Sequence, residues 1–313
     1  MLDVRYALKL SRKQNERIGV SEELRGWNWD QPPVEPPIRR VELSVSDIAN
    51  RYCGSMRDVY LRFVLGIKAK PTPRMIEGRV YHEILRTVVE EMKKIAYGGC
   101  LIEGYEVLAS VMDNAEKKIS ELIVKIFDSE NLKLNDENYR KIFNKGLRLW
   151  RFLALKYAAN IDHVRSKYNS PSIDSIISQA IPQVAEYKVD GTPLGLSKNL
   201  SVDVFLPTYM VVDYKTGSRK NFHKLSTTGY ALALEAELEV EVNIGAITYI
   251  WFNSNSLPRV RVEYHYISEE LRREFLETRD ALLEIIEHSR DPGLPLKCYT
   301  YCPYKSFCRG DSE

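Results

Sequence analysis

"LSVDVFLPTYMVVDYKTGS", residues 200–218, holds two apolar runs with one acid in each, Asp203 and Asp213. Both runs carry the branched and aromatic residues of strands, and Pro207-Thr208 separates them, so the stretch predicts two adjacent antiparallel strands. Successive side chains of a strand point to opposite faces; Asp213 and Lys215 therefore share one face while Val212 and Tyr214 take the other. The turn decides where Asp203 goes. An odd loop centred on Thr208 sets Asp203 opposite Asp213, whereas a two-residue loop at Pro207 and Thr208 sends the acids to different faces. The odd loop is the expectation.

Two carboxylates facing each other across about 5 Å repel, and both stay ionised only with a cation between them. A hard divalent ion, Mg²⁺ or Mn²⁺, takes oxygen ligands and keeps waters, and Lys215 on the same face can orient or deprotonate such a water and help neutralise a phosphate. That is a minimal apparatus for phosphodiester hydrolysis. An isolated acid-x-Lys pair fits an ion pair at a sheet margin just as well. "EYK", Glu186–Lys188, is a second instance; it closes on an Asp-Gly turn and reads as a surface hairpin, although Glu186 can still point into a site on the neighbouring strand.

Outward from the hairpin the character is helical on the N-terminal side. "LSVSDIANRYCGSMRDVYLRFVLG" reads as one helix, capped by Ser44 or Ser46, with Cys53 in its middle. After Pro-Thr-Pro, "EGRVYHEILRTVVEEMKK" repeats its apolar residues at helical spacing and carries His82 at the edge of the stripe, in the first turns. Residues 103–162 are mostly helix-forming, with "NLKLNDENYR" as a connection. From about 172 short strand-like runs begin, "IISQAIPQVAEYKV" included. Beyond the hairpin, "FHKLSTTGYALALEAELE" returns to helix, "VNIGAITYIWF" and "RVRVEYHYI" read as strands, and "SEELRREFLETRDALLEIIEHS" as a capped amphipathic helix. Proline-rich residues 21–40, with Trp27 and Trp29, read as an extended arm held on the surface by its aromatics.

Composition bounds the function classes. With 313 residues, 44% hydrophobic and 28% charged, the chain is of ordinary globular type rather than disordered. Lys+Arg 45 against Asp+Glu 43 gives a net charge of +2, so affinity for nucleic acid must come from local basic patches. No run of about 18 apolar residues and no secretory signal appears, so a cytoplasmic protein with no membrane partner is expected. In that compartment five cysteines suit metal or core positions better than disulfides. Cys298, Cys302 and Cys308 follow a C-x3-C-x5-C spacing with Cys53 far upstream, and four thiolates suit an iron–sulfur cluster or zinc. Cys100 stands apart and reads as a small filler or turn residue.

"EGRVYHEIL", "LSVDVFL" and "VVDYKTGS", in that order, resemble the successive motifs of RecB-like nucleases of the PD-(D/E)XK superfamily. The resemblance implies an α/β fold: a mixed sheet flanked by helices, with a helical subdomain. It also implies His82, Asp203, Asp213 and the peptide carbonyl of Tyr214 as ligands of the divalent ion, and Lys215 as the catalytic lysine. Tyr230 matches the tyrosine of the helix after the hairpin, but Ser226 stands where that helix usually carries Gln. One cysteine ahead of the nuclease motifs and three behind resembles the iron–sulfur branch, the CRISPR-associated (Cas) family four exonucleases. "ELRGWNWDQPP" and the long helical middle are most similar to its archaeal Csa-type members.

From that resemblance follow an iron–sulfur cluster, 4Fe–4S the expected type, on Cys53, Cys298, Cys302 and Cys308, and the processing of single-stranded DNA ends for spacer acquisition beside the Cas integrase. The expected organisation is an N-terminal arm (1–43), a helix contributing to the cluster module (44–70), a helical region with the first nuclease helix (71–170), the nuclease core (171–290) and a C-terminal cluster segment (291–313). The cluster would staple an early helix to the tail. Arg79, Arg219, Lys220, His223 and Lys224 are candidate backbone contacts, and "GWNWD" a candidate for base stacking. The competing expectation is a non-catalytic DNA-binding subunit that keeps fold and cluster; Ser226 speaks for it, the intact His82, Asp203, Asp213 and Lys215 against.

Overall fold

The computed structural model describes residues 3–17, 19–69, 71–99, 103–132, 134–299 and 302–309; Cys100 lies outside them. Five strands form one mixed sheet in the order β1 (Val184–Val189), β2 (Leu200–Leu206), β3 (Met210–Lys215), β4 (Ile244–Phe252) and β5 (Pro258–Tyr266). Only β3 and β4 run parallel, joined by the crossover helix α9 (Lys224–Leu238), which follows from inserting a helix where the other links are turns or loops.

Helices cover both faces. On one side lie α4 (Pro73–Gly98), α5 (Gly104–Asp113), α6 (Ala115–Ser129), α7 (Asp136–Lys167) and α8 (Ile173–Ala180), which share a core with Val212, Tyr214 and Ala246 of the sheet. Thr72 caps α4 through the Met75 N–H and Pro73 takes its first position, so the Pro-Thr-Pro break is itself the start signal. On the other side α9 and α10 (Glu269–Glu287) share a second core with Val211, Val202 and the N-terminal arm. A short helix α1 (Val4–Asn15), absent from the sequence expectation, packs on β5.

Several local expectations are corrected. The stretch containing Cys53 is two helices, α2 (Val45–Ala49) and α3 (Arg57–Phe63), and Cys53 lies in the turn between them. Asn50 ends α2, and Met56, at φ +62°, restarts the chain. His82 is deeper in α4 than its first turns. "IISQA" belongs to α8, because Ile176, Ile177 and Ala180 bury one helical side. Ser268 begins α10 without a side-chain capping bond.

The arm is no surface strap. Leu24 and Val34 are fully buried, and Gly26 lies so close to α9 that a Cβ there would stand 2.0 Å from the Leu232 carbonyl oxygen. Arg25 and Arg272 enclose Glu235, whose side chain is fully buried: Arg25 Nη1 is 3.0 Å from its Oε1 and Arg272 Nη1 2.6 Å from its Oε2. The Gly26 and Val242 N–H groups complete its coordination at 3.0 and 3.1 Å. Arg279, also buried, donates to the carbonyls of Val34 and Leu194.

Candidate functional site

The hairpin closes with the odd loop. Leu206 pairs with Met210 and Val204 with Val212, leaving Pro207-Thr208-Tyr209 as the turn with Tyr209 at φ +53°, a left-handed residue of the kind three-residue loops use. The paired ladder ends at Val204 and Val212; its register carried one step further sets Asp203 opposite Asp213, and the Tyr214 N–H, next along β3, donates to Asp203. Val212 and Tyr214 enter the core under α4, so Asp213 and Lys215 look toward α9.

The charges meet there. Lys215 Nζ is 3.1 Å from Asp213 Oδ1 and 2.9 Å from Oδ2, yet the buried Oδ2 completes no well-angled hydrogen bond. Asp203 Oδ2 accepts from the Tyr214 N–H at 2.8 Å and lies 3.6 Å from His82 Nδ1, which reaches in from α4. Gly78, one turn before His82, is what lets α4 approach: a Cβ at 78 would stand 2.9 Å from Thr216 Oγ1, just past Lys215. Tyr214 turns its ring edge-on to His82 at 6.2 Å, and its peptide links Asp213 to Lys215. From α9, the phenol of Tyr230 is pushed up by burial and then by the charges of Asp203 and Asp213, so it lies within electrostatic reach of the pair.

Electrostatics separates the acids. Burial pushes the Asp213 carboxyl up to about 6, with Asp203 adding to the rise and Lys215 opposing it. Burial works the same way on Asp203, but the His82 ring and the Tyr214 N–H together hold it below the ordinary carboxylate range. One acid is hydrogen-bonded and the other is short of partners. Two carboxylates and an imidazole are a donor set for a hard or borderline divalent ion, and the unsatisfied Oδ2 of Asp213 is the atom such an ion would serve. As the side chains stand, no group of three or more His, Cys, Asp or Glu among the described residues is gathered to hold a metal.

Glu186 is brought opposite Asp203, between the pairs Ala185 with Val204 and Tyr187 with Val202. Its φ of +50° turns the strand, so Ala185 packs in the α4 core and Tyr187 in the α9 core. The carboxylate is 42% exposed and 3.8 Å from Arg86, on the turn of α4 after His82.

Cys53, Cys298, Cys302 and Cys308 are free thiols, part buried. Burial first, then Cys298 and Cys53, push the Cys302 thiol up to about 11; burial raises Cys308 too, with Arg57 opposing and Cys53 and Cys298 adding to the rise. The two segments are stitched together: Ser55 Oγ donates to the Gly293 carbonyl at 2.8 Å, and Arg57 holds Asp291 through two nitrogens. A cavity of about 530 Å³ opens beside Cys53, Asn221, Phe222 and Lys224 rather than over Asp203 and Asp213.

The basic candidates divide. Arg79 is paired with Glu130, Arg219 with Glu263 at 2.7 Å, and Lys220 stands over the Tyr299 ring. His223 is corrected: it is 3% exposed, its Nδ1 lies 3.1 Å from the Tyr249 hydroxyl, and burial holds it at about 4, so it offers no charge to a phosphate. Ser226 is buried in α9. Trp27 and Trp29 are part buried, whereas Trp251, which the sequence reading placed on a strand and did not name for base stacking, is exposed. The alternation Arg259-Val260-Arg261 was its available signal, since it marks a charged face beside that indole.

Comparison with known proteins agrees over the whole length. A family model described as CRISPR-associated exonuclease Csa1 matches residues 1–311. A curated relative of that name from Saccharolobus solfataricus is 32% identical over 290 residues, 92% of each chain. Another of the same name, from Thermoproteus tenax, is 29% identical over 309 residues, 99% of each chain.

Proposed function

The chain belongs to the family of CRISPR-associated exonucleases of the Csa1 type, nucleases of CRISPR systems, and we propose that it trims single-stranded DNA ends during spacer acquisition. The observation that carries the chemistry is the meeting of Asp203, Asp213, Lys215 and His82 at one end of the sheet. His82, Asp203, Asp213 and the Tyr214 carbonyl would hold Mg²⁺ or Mn²⁺. Bound there, the ion supplies a Lewis acid for the phosphate and a nucleophile from water. Lys215, kept cationic beside Asp213, neutralises charge gathering on the phosphoryl oxygens. The Tyr214 N–H and the His82 ring fix Asp203, and Tyr230 positions the scissile phosphate from α9. A Cas integrase complex is the proposed recipient of the trimmed DNA.

Labelled single-stranded DNA with Mn²⁺ tests this reading. Asp213→Ala is expected to abolish cutting, and Lys215→Ala to slow it by about 10²- to 10³-fold, with binding retained in both. Wild-type cutting that survives Asp213→Ala would move the active site elsewhere. Binding without any cutting by the wild type would favour the scaffold reading.

The four cysteines are assigned to an iron–sulfur cluster with a structural task. Free thiols within electrostatic reach of one another, on two stitched segments, support it. Iron and sulfide analysis with a visible spectrum decides the matter; a colourless protein with stoichiometric zinc would sink the cluster and leave the nuclease standing.

A further inference from the structure

The strand register carries the face of the acids outward. In the parallel ladder Asp213 pairs with Ile247 and Lys215 with Tyr249. In the next ladder Ile247 pairs with Glu263, Tyr249 with Arg261 and Trp251 with Arg259. Paired residues project to the same side, so Asp213, Lys215, Tyr249, Trp251, Arg259 and Arg261 lie along one face. Tyr249 is buried against His223. Beyond it the face opens to solvent.

Trp251 there is 45% exposed. Arg259 beside it is exposed and makes no ion pair among the described residues. Arg261 Nε lies 3.0 Å from Glu263, and Arg219 Nε lies 2.7 Å from the other oxygen of the same carboxylate. Two guanidiniums therefore share one acid and the third has none, so the indole is bordered by net positive charge. The platform is also stiff. Within the β4–β5 turn the Leu257 N–H donates to the Asn253 side chain at 2.8 Å and the Ser256 N–H to the Asn253 carbonyl at 2.9 Å, while Arg148 of α7 donates to the Asn255 carbonyl.

We propose that Trp251, with Arg219, Arg259 and Arg261, is a holding platform for single-stranded DNA that leads to the acids, the indole stacking on an unpaired base and the guanidiniums taking phosphates. For its ligand the proposal rests on the nuclease reading above. Charge decides the occupant: an exposed aromatic ringed by cations suits a polyanion with free base faces, not an apolar protein surface. A duplex keeps its base faces stacked inside and gains nothing from the indole. The platform thus gives the enzyme its preference for single strands.

Affinity is read in full-length Asp213→Ala protein without added divalent ion, so that no cutting intervenes, using fluorescent oligo-dT and a duplex of equal length. Adding Trp251→Ala is expected to weaken oligo-dT binding about five- to one-hundred-fold and leave the duplex nearly unchanged; Trp251→Phe restores most of the loss. Arg259→Ser lowers the slope of log affinity against log salt by about 0.7. A natively melting Trp251→Ala protein that holds oligo-dT as before overturns the proposal and leaves this face to a protein partner. An equal loss for strand and duplex overturns it as well. Cutting that persists in Asp213→Ala when Mn²⁺ is added would count against the active-site assignment alone, since these affinities are read without divalent ion.

Discussion

His265 is 7% exposed on β5, with Nε2 2.9 Å from Thr227 Oγ1, and a side chain at Gly245 would collide with its ring. Burial, aided by Lys224, holds the ring at about 3 against an ordinary 6.5, so it is neutral in the fold and takes a proton readily only when unfolded. Its contribution to stability is complete above the unfolded value and is lost as pH falls from about 6.5 toward 3, by about 1.5–2 kcal/mol between pH 6.5 and 5. Denaturant melts at those two pH values should show a smaller acid loss in His265→Gln than in the wild type; equal losses would refute the neutral ring. At this scale the pairing of Asp203 with Asp213 was legible, because side-chain alternation and loop parity are local and rigid. The burial of His223 and the exposure of Trp251 were not. The first depends on what other elements lay over the residue, which no short window of sequence carries; the second had only the indirect signal of Arg259-Val260-Arg261 on the neighbouring strand.

Helix boundaries show the same division. α4 was readable in full, since Thr72, Pro73 and a long apolar stripe all agree. The break between α2 and α3 was hidden because its apolar residues continue at helical spacing across Asn50–Met56. α8 was taken for strand because its Ile-Ile pair suits either element and the run is short. Contact between elements makes the sharper prediction. A Cβ at Gly26 would meet the Leu232 carbonyl oxygen at 2.0 Å and the Ala236 nitrogen at 2.9 Å, both main-chain atoms of a buried helix that cannot swing aside. Gly26→Ala is therefore expected to destabilise by about 1–3 kcal/mol or more, read as a lower denaturant midpoint. Gly54→Ala, with nothing within 4 Å, is the matched control and should lie within about 0.5 kcal/mol of wild type.

Across the whole molecule the sequence supplied the α/β class and the succession from helices to sheet to closing helix, but not the way the arm is built into the second core. That depends on Glu235, which sits in an unremarkable helical stretch and meets partners from positions 25 and 272. Glu235→Ala strands two buried guanidiniums without their shared acid and should cost about 3–5 kcal/mol, measured by equilibrium unfolding. A loss under about 1 kcal/mol would mean that water reaches the site. The same three residues also set a schedule for synthesis at the ribosome. Arg25 emerges early, Glu235 late and Arg272 later still, so a nascent chain holds an incomplete polar knot until α10 has left the exit tunnel. The N-terminal arm should accordingly stay open to protease through most of translation and become resistant only in the last stage, when α10 seals it.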